Sequence, residues 1–290
     1  MEKFKLVTDT SADLKAEFLE EHGVGLMHLS CLMDGETYGR DKAIDINTFY
    51  EKIRNGSMPT TSQVNPDEAK EEFLKYIDEY KNILCLSFTS GLSGTYQSAK
   101  IAAEEIMESN PDVNIVVIDT LCASIGQGYI VDKAVEMKEN GATMQEIVDF
   151  VEENKLRVGH VVTVDDLYHL QRGGRVSKTS AVIGTMIGIK PMINVNNEGK
   201  LEVVSKARGR KKSLLTLVDM MEEKMGKNCD PKEKVFINHG DCLEDAQFVA
   251  DEIKRRFGHE NFVINHLGPV IGSHTGAGAI AVGFWGEKRQ

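Results

Sequence analysis

Short apolar runs alternate with amphipathic segments along the chain, and this alternation restricts the fold more than any other feature of the sequence. In the first half, strands are predicted at residues 5–8, 25–32, 82–87 and 114–119. Helices are predicted at residues 11–21, 45–54, 94–107 and 126–138, and at two further segments that begin near 65 and 143. Strand and helix units in alternation predict a mostly parallel sheet covered by helices on both sides.

Several of these helices carry start signals of their own. Asn65 is followed by Pro66 and then by Glu68, which is the pattern of a capping box with proline at the first helical position. Thr143 stands three residues before a glutamate in the same way, and Ser11 is a suitable cap for the first helix. These residues support the predicted helix boundaries.

The second half predicts a further α/β unit. Strands are expected at residues 158–164, 193–195, 201–204, 234–238, 262–267 and 279–284, and helices at 165–170, 177–188, 213–225 and 244–257. Residues 196–199 have the composition of a hairpin turn. We therefore predict two α/β domains, with a mostly parallel sheet in residues 1–156 and a smaller C-terminal domain in residues 157–290.

Composition limits the function classes. A net charge of −11 over 290 residues argues against a dedicated nucleic-acid binder. No apolar stretch reaches 18 residues, so no membrane span is expected, and the cytoplasm is the expected location. The five cysteines form no CxxC pair, and the histidines show no ligand spacing, so neither a disulfide framework nor a metal site is indicated.

Small hydroxyl side chains and one histidine are grouped in three segments, at residues 59–63, 90–95 and 268–276. Ser93 comes directly before a helix that begins near Gly94, where free backbone N–H groups favour an anion. Thr61 and Ser62 lie in a loop before another helix, and His274 lies in a glycine-rich stretch. Such a set suits a carboxylate or phosphate, although a helix cap, a turn and an uncommitted loop histidine explain the same residues.

Basic residues concentrate in one region of this acidic chain. Residues 172–212 contain ten Lys or Arg and two Asp or Glu. Within them, Arg172 and Arg175 flank a glycine pair, and Lys206 and Arg208 begin a second cluster. The region is either a solvated face or a surface for an acidic partner. The apolar segment 181–193 is either a core helix or the wall of an apolar tunnel.

Taken together, these motifs resemble the DegV family of bacterial fatty-acid-binding proteins, which includes the B subunits of fatty acid kinase. The resemblance runs almost end to end, through residues 8–14, 59–63, 92–99, 119–128, 170–178 and 268–276. It implies two α/β domains that bury an acyl chain, such as that of palmitate, stearate or oleate, without any cofactor.

The resemblance also implies roles for particular residues. The carboxylate of the fatty acid would be held by Thr61, Ser93 and His274, with Ser62, Gly94 and Arg175 among the ligand-binding residues. Arg208, Lys206 and Arg172 would face a phosphate or a partner. That partner would be a separate ATP-dependent fatty acid kinase, similar to dihydroxyacetone kinases, which phosphorylates the bound fatty acid.

Two other functions remain open from the residues. One is a serine hydrolase with Ser93 as nucleophile, His274 as base and Asp9 as the orienting acid. Ser93 lies one position away from the serine of a Gly-x-Ser-x-Gly elbow, which counts against this alternative. The other is a partner-binding protein whose lipid is incidental. We expect a lipid-binding protein and not an enzyme.

Overall fold

The computed structural model describes residues 3–165, 167–177, 188–226 and 230–289. The helix predicted at 177–188 and most of the apolar segment 181–193 lie outside the described residues. Strands are β1 (Phe4–Asp9), β2 (Gly25–Met27), β3 (Ser30–Met33), β4 (Glu36–Tyr38), β5 (Thr60–Ser62), β6 (Asn82–Ser87), β7 (Asn114–Asp119), β8 (Val158–Thr163), β9 (Ile189–Val195), β10 (Leu201–Arg208), β11 (Val235–His239), β12 (Phe262–His266) and β13 (Ile280–Trp285). Helices are α1 (Ala16–Glu21), α2 (Ile46–Arg54), α3 (Pro66–Leu74), α4 (Thr95–Ser109), α5 (Ile125–Glu139), α6 (Met144–Asn154), α7 (Tyr168–Arg172), α8 (Arg210–Met225), α9 (Leu243–Phe257) and α10 (Pro269–Thr275). None of the helices described is both long and apolar enough to cross a bilayer.

The first sheet has four parallel strands in the order β2-β1-β6-β7. Its parallel character confirms the sequence prediction. Because the strands are parallel, the loops that follow β1, β6 and β7 all leave the same edge of the sheet. This edge faces the cavity described below.

The first helix of the chain differs from the prediction. Residues 10–12 form a single 3-10 turn, Asp13 has a positive φ of 51°, and α1 begins only at Ala16. Ser11 is not the cap. The buried Asp9 carboxylate accepts a hydrogen bond from the Ser11 backbone N–H at 3.1 Å and another from Phe88 N–H at 2.8 Å. The prediction of one helix over 11–21 was wrong because this carboxylate closes the chain into a turn.

The strand predicted at 25–32 is also wrong in its extent. The structure divides it into β2, which pairs with β1, and β3, which belongs to a separate antiparallel sheet in the order β4-β3-β5. At the break, Leu29 N–H donates to Thr10 Oγ1 at 3.1 Å instead of continuing the ladder. This small sheet fixes Thr61 on β5, opposite Cys31 on β3.

The third sheet has six strands in the order β10-β9-β8-β13-β11-β12, and within it only β11 and β12 run parallel. The predicted hairpin between β9 and β10 is confirmed. Its turn is closed by Asn196 Oδ1, which accepts from the N–H groups of Glu198 and Lys200 at 3.0 Å each, and Gly199 has a φ of 69°. Buried residues of α8 and α9 cover one face of this sheet.

Candidate ligand-binding site

An apolar cavity lies between the six-stranded sheet and the loops that leave the four-stranded sheet. Its volume is about 80 Å³. Fourteen of the twenty-two described residues that line it are apolar. They are Leu29, Phe88, Leu92, Ala123, Ile125, Val162, Leu170, Ile193, Val195, Leu201, Leu267, Val270, Ile271 and Ala281. Hydrophobic side chains with a few convergent polar groups are typical of a small-molecule site.

Thr61 and His274 meet at one side of this cavity. Thr61 Oγ1 on β5 and His274 Nε2 on α10 lie 2.8 Å apart, and both residues line the cavity. The helix is held over the site by Gly268, which precedes it and donates its N–H to the buried Asp13 carboxylate at 2.9 Å. Residues from both halves of the chain thus build the polar part of the wall.

His274 is largely buried and surrounded by positive charge. Burial, together with the neighbouring Arg175, Arg172 and His169, lowers the pKa of this imidazole to about 4. The ring is therefore neutral near pH 7. A Cβ added to Gly173 would lie 2.2 Å from His274 Nδ1, so the glycine leaves the room that the ring occupies. Nδ1 has no hydrogen-bond partner in the described part of the chain.

Ser93 lines the same cavity, immediately before α4. Its Oγ accepts a hydrogen bond from Thr95 N–H at 3.2 Å and lies 3.0 Å from Thr95 Oγ1. The serine thus helps to close the first turn of the helix while its hydroxyl stays on the cavity wall. Gly94 donates its N–H to Gln63 Oε1 at 3.1 Å, and a Cβ at this glycine would collide with the same amide.

Two arginines lie near this side of the cavity, and their environments differ. Arg175 lines the cavity, donates from Nε to Leu92 O at 3.1 Å and also bonds to Gly173 O, and burial lowers its pKa. Arg172 instead donates to backbone carbonyls, at 2.7 Å to Pro59 and 3.4 Å to Ser273. It ties α7 to the loop before β5 and to α10.

Other candidate residues lie outside the cavity wall. Ser62 is exposed at the end of β5, and the neighbouring Gln63 lines the cavity. Lys206 and Arg208 are exposed near the end of β10. The strand register places them at the same end of the six-stranded sheet as α10. Ile280, which begins β13 shortly after α10, pairs with Thr163. Thr163 pairs with Met192, and Met192 pairs with Ser205, next to Lys206.

Sequence reasoning missed Gln63 and His160, which also line the cavity. Gln63 lies within the motif at 59–63. Its side-chain amide forms hydrogen bonds with Gly94 N–H and Ser98 Oγ, which belong to a segment about thirty residues away. His160 gave no signal, because a single histidine in an apolar strand is typical of a core residue. Its Nε2 accepts from Ala123 N–H at 3.4 Å, and burial lowers its pKa to about 3.

A hydrolytic triad is not assembled among the described residues. Within the described ranges, Asp9 is bound by Ser11 and Phe88 and does not contact His274, whose Nε2 meets Thr61. Ser93 Oγ bonds to Thr95 and not to the imidazole. Across the described ranges, no three His, Cys, Asp or Glu side chains converge as metal ligands would.

Comparison with known proteins gives consistent matches over the whole chain. A family model described as an uncharacterised protein of the DegV family matches residues 3–287. A DegV domain-containing protein of Clostridium perfringens is 43% identical over 293 residues, which cover 100% of each chain. The match is therefore to proteins of the same length and domain content.

Solved structures share the fold. A DegV structure from Bacillus subtilis, described as a fatty acid binding protein, has a TM-score of 0.85 at 28% identity and covers 99% of this chain and 100% of its own. A stearic-acid-binding protein from Eubacterium ventriosum has a TM-score of 0.89 at 25% identity and covers 98% of each chain. The α/β architecture is the one that these proteins have in common.

Proposed function

The chain belongs to the DegV family, and from that membership we propose that it binds one long-chain fatty acid in the cavity between its sheets. The observation that carries the proposal is the distribution of polar groups. One cation and several hydrogen-bonding side chains stand at one side of a cavity whose described lining is mostly apolar. Structural neighbours described as fatty-acid-binding proteins support the same ligand class. Palmitate, stearate and oleate are the expected ligands.

The polar groups match the needs of a carboxylate. A buried carboxylate must be paired or hydrogen-bonded, because an isolated buried charge is very costly. In the proposed site, the hydroxyls of Thr61 and Ser93 donate to its oxygens, and Thr61 Oγ1 accepts from the Nε2–H of neutral His274, which orients the hydroxyl. Arg175 supplies the positive charge. Ser62 directly follows Thr61 and Gly94 directly follows Ser93. We assign Gly94 a backbone role beside Ser93.

The apolar wall supplies the affinity. Each buried methylene contributes about 0.8 kcal/mol, so a 16-carbon tail contributes on the order of 10 kcal/mol before ordering costs. The cavity draws its wall from residues on both sides of position 157. This arrangement fits the proposed division into domains of residues 1–156 and 157–290, with the ligand held between them.

Mass spectrometry of the purified protein tests this proposal. The native protein should carry extra mass equal to one free fatty acid, which solvent extraction then releases and identifies. Delipidated protein should take up added oleate, and Arg175→Gln should retain it less well than wild type. Protein that carries no fatty acid and takes up none would contradict the proposal. Stoichiometric labelling of Ser93 by a fluorophosphonate would instead favour the hydrolase.

We further propose that the protein presents its ligand to a separate ATP-dependent kinase and does not itself catalyse a reaction. Exposed Lys206 and Arg208 at the α10 edge supply positive charge for an acidic partner or a new acyl phosphate. Arg208→Glu should therefore lower acyl phosphate formation with a kinase similar to dihydroxyacetone kinases, and leave oleate affinity unchanged. Lys200→Glu, at the other end of β10, is the matched control. Equal loss of affinity and turnover in Arg208→Glu would contradict a partner role.

A further inference from the structure

The cavity ends against a thin partition on the side away from His274. His160 precedes Thr163, the last residue of β8, by three residues. At the usual rise of a strand, these three residues span about 10 Å. His160 and Val195 line the cavity and also line a surface groove of about 230 Å³. The apolar cavity and this groove are therefore separated by these two side chains and their neighbours.

Arg289 fixes the backbone around this partition. Its guanidinium donates to Leu121 O at 3.1 Å, to Lys155 O at 3.1 Å and to Asn196 O at 2.9 Å. These carbonyls belong to the loop after β7, the segment before β8 and the β9–β10 turn. One side chain near the end of the chain thus joins three segments that converge at the far end of the cavity, and it also lines the outer groove.

His160 has little freedom to move away from this position. Its Nδ1 lies 3.1 Å from Val158 O, and its Nε2 accepts from Ala123 N–H. A Cβ added to Gly126 would lie 1.7 Å from Nε2, so α5 packs directly against the ring. The partition is consequently a packed wall and not a loose side chain over an opening.

We propose that Arg289 is a specificity-determining residue that sets the longest acyl chain the cavity accepts. The inference rests on the proposed function, because it concerns the tail of the same ligand. With the carboxylate held near His274, the tail points toward His160 and Val195. A chain that is too long must displace His160 or Val195 to enter the groove, and the Arg289 bonds hold the segments around these two side chains in place. Without Arg289, the loop and the turn are free to separate, and the cavity gains the groove's volume.

Competition among saturated fatty acids tests the proposal. Delipidated wild type and Arg289→Ala are each mixed with equal amounts of acids from 14 to 24 carbons, and native mass spectrometry measures which acids bind. Wild type should show a sharp fall in occupancy above one length. Arg289→Ala should move that fall by about two carbons and raise the relative occupancy of the first excluded acid by on the order of tenfold.

Two further variants complete the test. Lys288→Ala, which removes a neighbouring cation from the rim of the same groove, should keep the wild-type profile. Val195→Phe enlarges the partition and should move the length limit to shorter acids. If thermal scans show that Arg289→Ala is unfolded, the result for Val195→Phe decides the test. Folded variants with the wild-type profile would overturn this inference alone. Failure of wild type to bind any acid would overturn the proposed function as well.

Discussion

Thr61 and His274 are 213 positions apart in the sequence, and their side chains lie 2.8 Å apart in the fold. Thr61→Val removes the hydroxyl, keeps the shape and leaves the imidazole nitrogen without its partner. In the complex, a ligand oxygen also loses its donor, and an unpaired buried acceptor costs about 1–3 kcal/mol, so fatty acid affinity should fall by about 5- to 150-fold. Isothermal titration of delipidated protein with oleate measures the change. Thr61→Ser should retain most of the affinity, and equal affinity of Thr61→Val and wild type would contradict the assignment.

Gly173 offers a second test at the residue scale. Gly173→Ala places a methyl group where His274 Nδ1 lies, so the imidazole must shift away from Thr61. We expect weaker oleate binding by the same titration, without loss of the folded state in circular dichroism. Gly39→Ala, where the added methyl would meet Ser30 Oγ at 3.0 Å outside the cavity, is the matched control. Unchanged binding by Gly173→Ala would show that the ring position is not needed.

The residues of the site were predictable in kind but not in arrangement. Hydroxyl groups beside strand ends and helix starts pointed to Thr61 and Ser93, because local sequence decides where such groups occur. The meeting of Thr61 with His274 depends on a sheet and a helix from opposite halves of the chain. Arg172, for which the resemblance implies a phosphate or a partner, donates to backbone carbonyls of its own chain, and nothing in the sequence indicated these contacts.

Helix α3 allows a prediction at the scale of an element. Asn65 Oδ1 accepts from Glu68 N–H at 3.0 Å, and the Glu68 carboxylate accepts from Asn65 N–H at 2.9 Å. Asn65→Ala breaks this box and should lower the free energy of unfolding by about 1 kcal/mol. Urea unfolding measures the loss, and oleate affinity should not change. Asn65→Asp keeps an acceptor and should recover the stability; a loss as large as that of alanine would contradict the capping role.

Two capping boxes and a turn that are closed by neighbouring residues were predicted correctly, and two chain breaks that depend on distant partners were not. The boxes at Asn65 and Thr143 and the turn at 196–199 are made by residues within four positions of one another. The break in the strand predicted at 25–32 requires Thr10, and the turn after β1 requires Phe88. Apolar spacing alone carries no information about either partner.

At the scale of the whole molecule, ligand and fold stabilise each other. The cavity wall combines the four-stranded sheet's loops with one face of the six-stranded sheet, so a bound tail bridges both. A ligand that binds only the folded state stabilises it by about 2.7 kcal/mol at one hundred times its Kd. Removal of the fatty acid should therefore lower the Tm, and added oleate should restore it. A Tm that is independent of ligand would contradict a cavity formed between the two sheets.

Buried histidines make the stability of the whole molecule depend on pH. Burial lowers the pKa of His160 to about 3 and those of His239 and His274 to about 4. Between these values and the ordinary 6.5, the unfolded chain binds protons that the folded chain excludes, so folding stability falls as the pH drops through this window. Asp13 acts in the opposite direction, because burial raises its pKa to about 7 and its contribution is lost as the pH rises.

Burial also lowers the pKa of His28 and raises that of Asp9. Four histidines with lowered pKa values outnumber the two carboxyl groups with raised ones, so the free energy of unfolding should decrease as the pH drops from 6.5 to 4.5. Urea unfolding at half-unit pH intervals measures the slope. His160→Gln should be less stable at pH 7.5, because the glutamine fits the packed ring site poorly, and its slope with pH should be shallower because one proton-binding group of the unfolded chain is gone. A slope that is flat in wild type, or unchanged in His160→Gln, would contradict a neutral, buried His160 at the end of the cavity.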